Sequence, residues 1–273
     1  MRRFGVIAVC AGLLLAGCSN ESLDEVDEAG TPPNAARVVL AATAYDGGPP
    51  SSEDLEAARD IVAERIGDPD ASVEVDGETL VVVIPDDPDG SAAAAFGRTG
   101  RLVVRPVLAT SWSSGTTVPA LADRQSTDPA IQNRALADID CTRKDPLRGE
   151  DNPNLPLVTC DADGEAYLLG PRVFDGTQIV DAAARADKTV DLQVVDIRFA
   201  DASATAWADF TADNVGAQVA FTLDSRVLNA PVVQASIPAG SATTISGRFT
   251  AEEAETLAAT LRSGALPVLL SVR

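Results

Sequence analysis

The 273-residue chain carries 21 Lys and Arg against 41 Asp and Glu, a net charge of −20, and contains no histidine. An acidic surface of this kind repels nucleic acid and anionic lipid headgroups, and the missing histidine removes Ser-His-Asp and Cys-His nucleophilic sites, HExxH zinc sites and most imidazole acid–base chemistry. Hydrophobic residues make up 45% but aromatics only 4%, so a core of Val, Leu, Ile and Ala is expected, in a chain long enough for one or two domains.

Arg2 and Arg3 precede an apolar run over 4–16 that ends in Leu15-Ala16-Gly17-Cys18. A spanning helix needs about 20 apolar residues; this run is shorter and passes into acidic sequence, so 1–17 reads as a secretory signal. Its end resembles the bacterial lipobox, which implies diacylation of Cys18 and a lipid-anchored protein (palmitate among the acyl chains) on the extracytoplasmic face of the cell membrane. Ordinary cleavage beside an incidental cysteine is the other reading. Residues 18–36, with Glu21, Asp24, Glu25, Asp27, Glu28 and then Thr31-Pro32-Pro33-Asn34, form a flexible acidic tether with little to bury.

Folded structure is expected from residue 37. A strand over 38–42 precedes the breaker Gly47-Gly48-Pro49-Pro50. Ser51 or Ser52 then caps a helix with Glu53 and Asp54 in its first turn; Leu55, Ala58, Val62 and Ile66 form one stripe, and Gly67 ends it. A hairpin over 72–75 and 79–84 turns at Asp76-Gly77, a short helix covers 91–96, and a strand covers 102–107.

Periodicity fades over 110–165, which reads as either a long loop or the edge of an inserted subdomain, and Cys141 and Cys160 fall here. Two cysteines in an oxidising compartment most simply form one disulfide. A thiolate metal site is the alternative, but two cysteines without histidine are a poor tetrahedral set. No metal site, catalytic residue or cofactor is expected: Asp86-Asp87-Pro88-Asp89-Gly90 and Asp161-Ala162-Asp163-Gly164-Glu165 fail the calcium-loop spacing at its opening and closing positions and read as acidic turns. Paired carboxylates can do glycosidase chemistry, yet no spacing singles out a pair.

Order resumes at 167–170, with a helix expected over 178–186. Alternation at Val190, Leu192 and Val194 switches parity at Val195, Ile197 and Phe199, which suggests a bulge at 194–195. A helix over 201–213 buries Trp207 and Phe210. Strands over 216–223 and 226–228 flank the turn Asp224-Ser225, and a further strand is expected over 232–237. Thr250-Ala251-Glu252-Glu253 is a capping box for a helix burying Ala254, Leu257, Ala258 and Leu261; Gly264 stops it before a strand over 266–272.

A chain of motifs in this order, Ala220-Phe221-Thr222-Leu223-Asp224, Val227-Leu228-Asn229-Ala230-Pro231-Val232-Val233, Ile245-Ser246-Gly247, Phe249-Thr250-Ala251-Glu252-Glu253-Ala254 and Leu261-Arg262-Ser263-Gly264-Ala265-Leu266-Pro267, resembles the first large extracytoplasmic domain of SecD. Upstream, 57–66, 80–85, 97–107 and Tyr167-Leu168-Leu169-Gly170-Pro171 are similar to that domain in the same order. The resemblance implies an α+β fold with a ferredoxin-like base (37–109 and the closing helix and strand, 248–273), a loop-rich connection with the disulfide (110–174) and an inserted α+β head (175–247). SecD works with SecF beside the Sec channel in protein export. The chain ends at Arg273, where the family has further membrane helices, so no proton-driven activity of its own is expected.

The resemblance therefore implies a lipid-anchored binding module, not an enzyme, that holds exported unfolded polypeptide or modulates the SecD–SecF complex or the Sec channel, without nucleic acid. Ala230, Val232, Gln234 and Ser236 are the candidate polypeptide-binding residues, on a sheet edge that could add a peptide strand; taken residue by residue, Val227, Val232, Val233 and Ile237 read as sheet core. An envelope lipoprotein that uses the same fold for another ligand or partner protein is the alternative.

Overall fold

A computed structural model describes residues 34–273 except 46, 148 and 189–191. The signal, Cys18 and the tether to residue 33 lie outside the described residues, as does Val190. In chain order the first elements are β1 (Arg37–Thr43), α1 (Ser52–Ile66), β2 (Ser72–Asp76), β3 (Thr79–Val83), α2 (Ser91–Phe96), β4 (Leu102–Trp112), α3 (Leu121–Arg124) and α4 (Pro129–Asp138). Then come β5 (Leu157–Cys160), β6 (Glu165–Leu169), β7 (Phe174–Asp175), β8 (Ile179–Asp187), β9 (Leu192–Phe199) and α5 (Asp201–Asp213). The last are β10 (Val219–Leu223), β11 (Arg226–Asn229), β12 (Thr243–Phe249), α6 (Ala251–Ser263) and β13 (Leu269–Val272).

The fold is α+β with three antiparallel sheets. The first has the order β13-β1-β3-β2, the strand order of a ferredoxin-like βαββαβ unit whose second half is far away in sequence. The stripe of α1 delivers Leu55, Ala58 and Val62 onto Leu40, Leu80, Val82, Val268 and Leu270. Ser51 caps α1 by accepting from the Asp54 N–H at 3.1 Å, and Gly67 closes it in the left-handed conformation.

The second sheet has the order β11-β10-β4-β6-β5, with β7 also paired to β4. It curls, because Thr159 Oγ1 donates to Ser225 O at 2.6 Å and Arg226 Nη2 to Asp161 O at 2.9 Å, so its two outer strands approach one another. The third sheet, β12-β9-β8, shares the largest core with α5, α6 and β10. The scarce aromatics gather there: Phe174, Phe199 and Phe210 lie 5.1, 5.4 and 5.5 Å from Trp207, centroid to centroid.

Four expectations are corrected. Residues 178–186, Ala-rich and helical by propensity, are strand β8. Ala182 and Ala184 face the large core, where short side chains let α6 approach until Arg262 Nη1 reaches Ala182 O at 2.7 Å. The pairing of β9 with β8 runs unbroken through Val194 and Val195, and the irregularity lies in the facing strand, between Ser246 and Phe249. There the Phe249 ring lies where a Gly247 Cβ would be, 2.6 Å away. The 110–165 stretch holds two helices and a strand, with a small core of Ala135, Leu136, Ile139, Val158 and Leu168 around the cysteines.

The fourth concerns the lobes. β4 joins the second sheet from Leu102 onward, and α6 buries Ala254, Leu257, Ala258 and Leu261 in the large core, while β13 returns to the first sheet. The chain thus leaves the base at 97–101 and re-enters it at 264–268, instead of changing lobe at 109 and 248.

Candidate functional site

Of the residues nominated from sequence, Cys18 lies outside the described residues. Cys141 follows α4 and Cys160 ends β5; their Sγ atoms are 2.02 Å apart and their Cα atoms 5.6 Å. Among the described residues no group of three or more His, Cys, Asp or Glu is arranged to hold a metal ion. Asp87, within one acidic turn, caps α2 by accepting from the N–H groups of Ala92 and Ala93 at 3.2 and 3.1 Å.

The nominated edge, 230–236, is not a strand: β11 ends at Asn229 and only an isolated bridge pairs Val232 with Gln218. Pro231 O and Val233 continue the β10–β11 ladder (Val219 N to Pro231 O 3.0 Å, Val233 N to Ala217 O 2.9 Å). The chain then crosses α5, where Ile237 N donates to Thr211 Oγ1 at 2.9 Å and is withdrawn from a further ladder. Val232, Gln234 and Ser236 are exposed and Ala230 is partly buried; Val233 and Ile237 pack on the large core.

A larger concave surface runs along α6. One cavity of about 360 Å³ is lined by Ala95, Leu223, Leu228, Phe249 and Leu257 with Arg98, Glu252, Glu253, Thr256 and Thr260. A second of about 380 Å³ continues it past Ile66, Ala92, Phe96, Glu255 and Ala259; the two share Ala95, Glu252 and Thr256. Together they make a groove between α2 of the base and α6, apolar at its floor, with Glu252, Glu253 and Glu255 and also Arg98 and Arg262 at its rim.

Local sequence explains the groove. The capping box fixes the start of α6, Glu253 N donating to Thr250 Oγ1 at 3.1 Å and Thr250 N to Glu253 Oε2 at 2.8 Å. With Ala254, Leu257, Ala258 and Leu261 turned into the core, the adjacent stripe of Thr256, Ala259 and Thr260 faces α2. These side chains are too short to fill the gap. That small-residue stripe is legible in the sequence; the contribution of Ala95 and Phe96, more than 150 residues away in the chain, is not.

Arg65 closes the inner end. It is buried on α1 and donates to Ser263 Oγ at 3.0 Å, Phe96 O at 2.9 Å, Thr99 O at 3.1 Å and Gly264 O at 2.6 Å, and also to Arg98 O. Burial lowers its pKa to about 10, so it stays a cation at neutral pH. A Cβ on Gly100, where φ is +75°, would lie 2.4 Å from Arg65 Nη2, so glycine is required by both space and backbone. Leu266 N donates to Thr99 O at 2.8 Å, joining the two chain crossings directly.

A buried polar centre fixes the second lobe beyond them. Arg105, fully buried, donates to Asp151 Oδ2 at 2.5 Å and to the carbonyls of Leu155 and Gly170 at 2.8 and 2.9 Å. Asp151 in turn accepts from Ser225 Oγ at 2.5 Å, and Asp224 accepts from Arg101 N at 2.9 Å. Burial pushes the Asp224 carboxyl up and the Arg105 guanidinium down. No helix of the described residues is long and apolar enough to cross a membrane.

Residues 155–268 match the family described as SecDF, P1 head subdomain. The chain is 34% identical to the protein translocase subunit SecD of Mycobacterium tuberculosis, over 85% of this chain and 55% of that protein. It is 30% identical to the protein translocase subunit SecDF of Thermus thermophilus, over 86% and 29% respectively. This chain thus spans about half the length of the SecD relative and less of the SecDF one. Its fold is similar to a solved structure of SecDF, a membrane component that enhances protein export, with a TM-score of 0.55 at 27% identity, over 87% of this chain and 97% of that one. It is also similar to SecDF in its super-membrane-facing form, with a TM-score of 0.57 at 27% identity, over 88% and 30%.

Proposed function

We propose that this chain, similar in sequence and fold to SecD and SecDF, holds unfolded exported polypeptide in the groove along α6, beside the Sec channel and the SecD–SecF complex. The observation that carries this reading is the groove itself, with Phe96, Leu228, Phe249 and Leu257 at its floor and Glu252 and Glu255 at its rim. An unfolded segment exposes apolar side chains and backbone together; the floor takes the first, and threonines and carboxylates at the rim offer hydrogen-bond partners to the second.

Membrane attachment through acylated Cys18 completes the reading, since it keeps the groove on the membrane face where polypeptide emerges. Acyl labelling of the full chain that disappears in Cys18→Ser, together with release of the protein from membranes, is the expected result.

A photo-reactive amino acid at Thr256, in the groove, and another at Val232, on the 230–236 segment, test the binding surface in cells. Newly exported proteins should be trapped from Thr256 well above the level given by an unrelated lipoprotein carrying the same probe. Labelling no better than that control sinks the reading, and labelling from Val232 alone moves the surface to the segment nominated from sequence.

A further inference from the structure

We propose that a cleft of about 270 Å³ on the far side of the crossing segment, lined by Arg98, Thr99, Lys144, Asp145, Asp224 and Arg226, binds a phosphate-class oxyanion through Arg98, Lys144 and Arg226. The chain has 41 acidic and 21 basic side chains, yet three of these six residues are cations. Concave walls focus their combined field.

The two carboxylates are already engaged. Asp145 receives both terminal nitrogens of buried Arg124, at 2.9 and 2.7 Å. Asp224 accepts from Arg101 N at 2.9 Å and lies 3.9 Å from Arg98 Nε. The cations are less committed. Arg226 donates to Asp161 O at 2.9 Å, and neither Arg226 nor exposed Lys144 forms an ion pair with a carboxylate of the described residues. Two guanidinium forks and an ammonium around one cleft suit a tetrahedral oxyanion with several acceptor oxygens.

The walls are held before any ligand arrives. Asp224 and Ser225, with φ of +49° and +70°, form the β10–β11 turn, and Ser225 Oγ bridges Asp151 Oδ1 at 2.5 Å and Gly149 N at 3.1 Å. Lys144 follows Cys141, whose sulfur lies at bonding distance from Cys160. Arg98 lies on the crossing whose carbonyls Arg65 holds. Three separately anchored segments therefore present the three charges, which lowers the ordering cost of binding.

The ligand's phosphate can be free or part of a lipid headgroup, and the test separates the two. The full chain is titrated with inorganic phosphate by calorimetry, and separately mixed with phosphatidylcholine vesicles with and without phosphatidic acid. Lys144→Gln and Arg226→Gln should each weaken binding about tenfold, the equivalent of one charge-assisted hydrogen bond, while Lys188→Gln, an exposed lysine elsewhere on the surface, leaves it unchanged. Both substitutions lie at exposed positions, and unchanged melting curves establish that they fold. Saturable phosphate binding with this pattern identifies a free-anion site; binding only to phosphatidic acid vesicles with the same pattern identifies a headgroup site. Binding to neither probe, or binding indifferent to both substitutions, overturns the proposal.

Discussion

Arg65 of α1 donates from Nη2 to the carbonyl oxygen of Gly264 at 2.6 Å, tying the base to the point where the chain returns from the second lobe. Its other donors reach Phe96, Arg98 and Thr99 on the outgoing crossing. Arg65→Met would leave those carbonyls short of a donor and is expected to cost about 3–5 kcal/mol, read as a fall in the urea midpoint. Arg65→Lys should recover little, because an ammonium cannot reproduce the planar fork that reaches both crossings. Full rescue by lysine would contradict the role assigned to the geometry.

The Arg105–Asp151 pair is the second mechanical centre. Asp151→Ala removes the carboxylate that serves both Arg105 and Ser225 and is expected to cost about 3–5 kcal/mol, since it leaves a buried guanidinium unpaired. Arg105→Met combined with Asp151→Leu should cost clearly less than the sum of the single changes. A double-mutant cycle on denaturant midpoints measures the difference, and strict additivity would show that the two groups do not act as a pair.

Asp145 makes stability depend on acid. Burial raises its pKa, but the hydrogen bonds and charge of Arg124 outweigh this and hold it below the ordinary aspartate range. A carboxyl whose folded pKa is depressed stabilises the fold above its unfolded value, and that contribution is lost as pH falls through the folded pKa. Stability should therefore drop as pH is lowered below about 4. Asp145→Asn should lose about 2 kcal/mol at pH 7 and show a shallower acid limb in pH-dependent melting; an unchanged limb would remove Asp145 from the account.

A disulfide between Cys141 and Cys160, 19 positions apart, would restrict the unfolded chain. Replacing both cysteines with serine should lower stability by about 3 kcal/mol in the chain-entropy model. Added reductant should shift the unfolding midpoint of the wild-type chain and leave that of the double serine variant in place.

Much of the fold was legible where one face of an element meets one core. The α1 stripe, the α6 capping box and the Asp224-Ser225 turn appear at the positions their residue patterns require. Strand β8 departs from the expected helix because local propensity favours helix for Ala-rich sequence, while the distant strand β9 and the close approach of α6 decide its state. Asp128 capping and Pro129 at the first helical position, followed by Gln132, Ala135 and Leu136, did mark α4, but its short stripe was hidden among Ser, Thr and Asp. The groove was illegible for another reason. Its walls come from α2 and α6, and no periodicity in either element reports which surface the other leaves uncovered.

Strand pairing at the ends of the folded body has a mechanical consequence. β1 and β13 are antiparallel neighbours, with Leu40 opposite Val272 and Arg273 N donating to Val39 O at 3.0 Å, so the start of one strand and the finish of the other share one end of the base sheet. Tension between residues 37 and 273 is then carried by the β1–β13 ladder one bond at a time. The second lobe, threaded between the two crossings, stays out of the line of force until that ladder has opened.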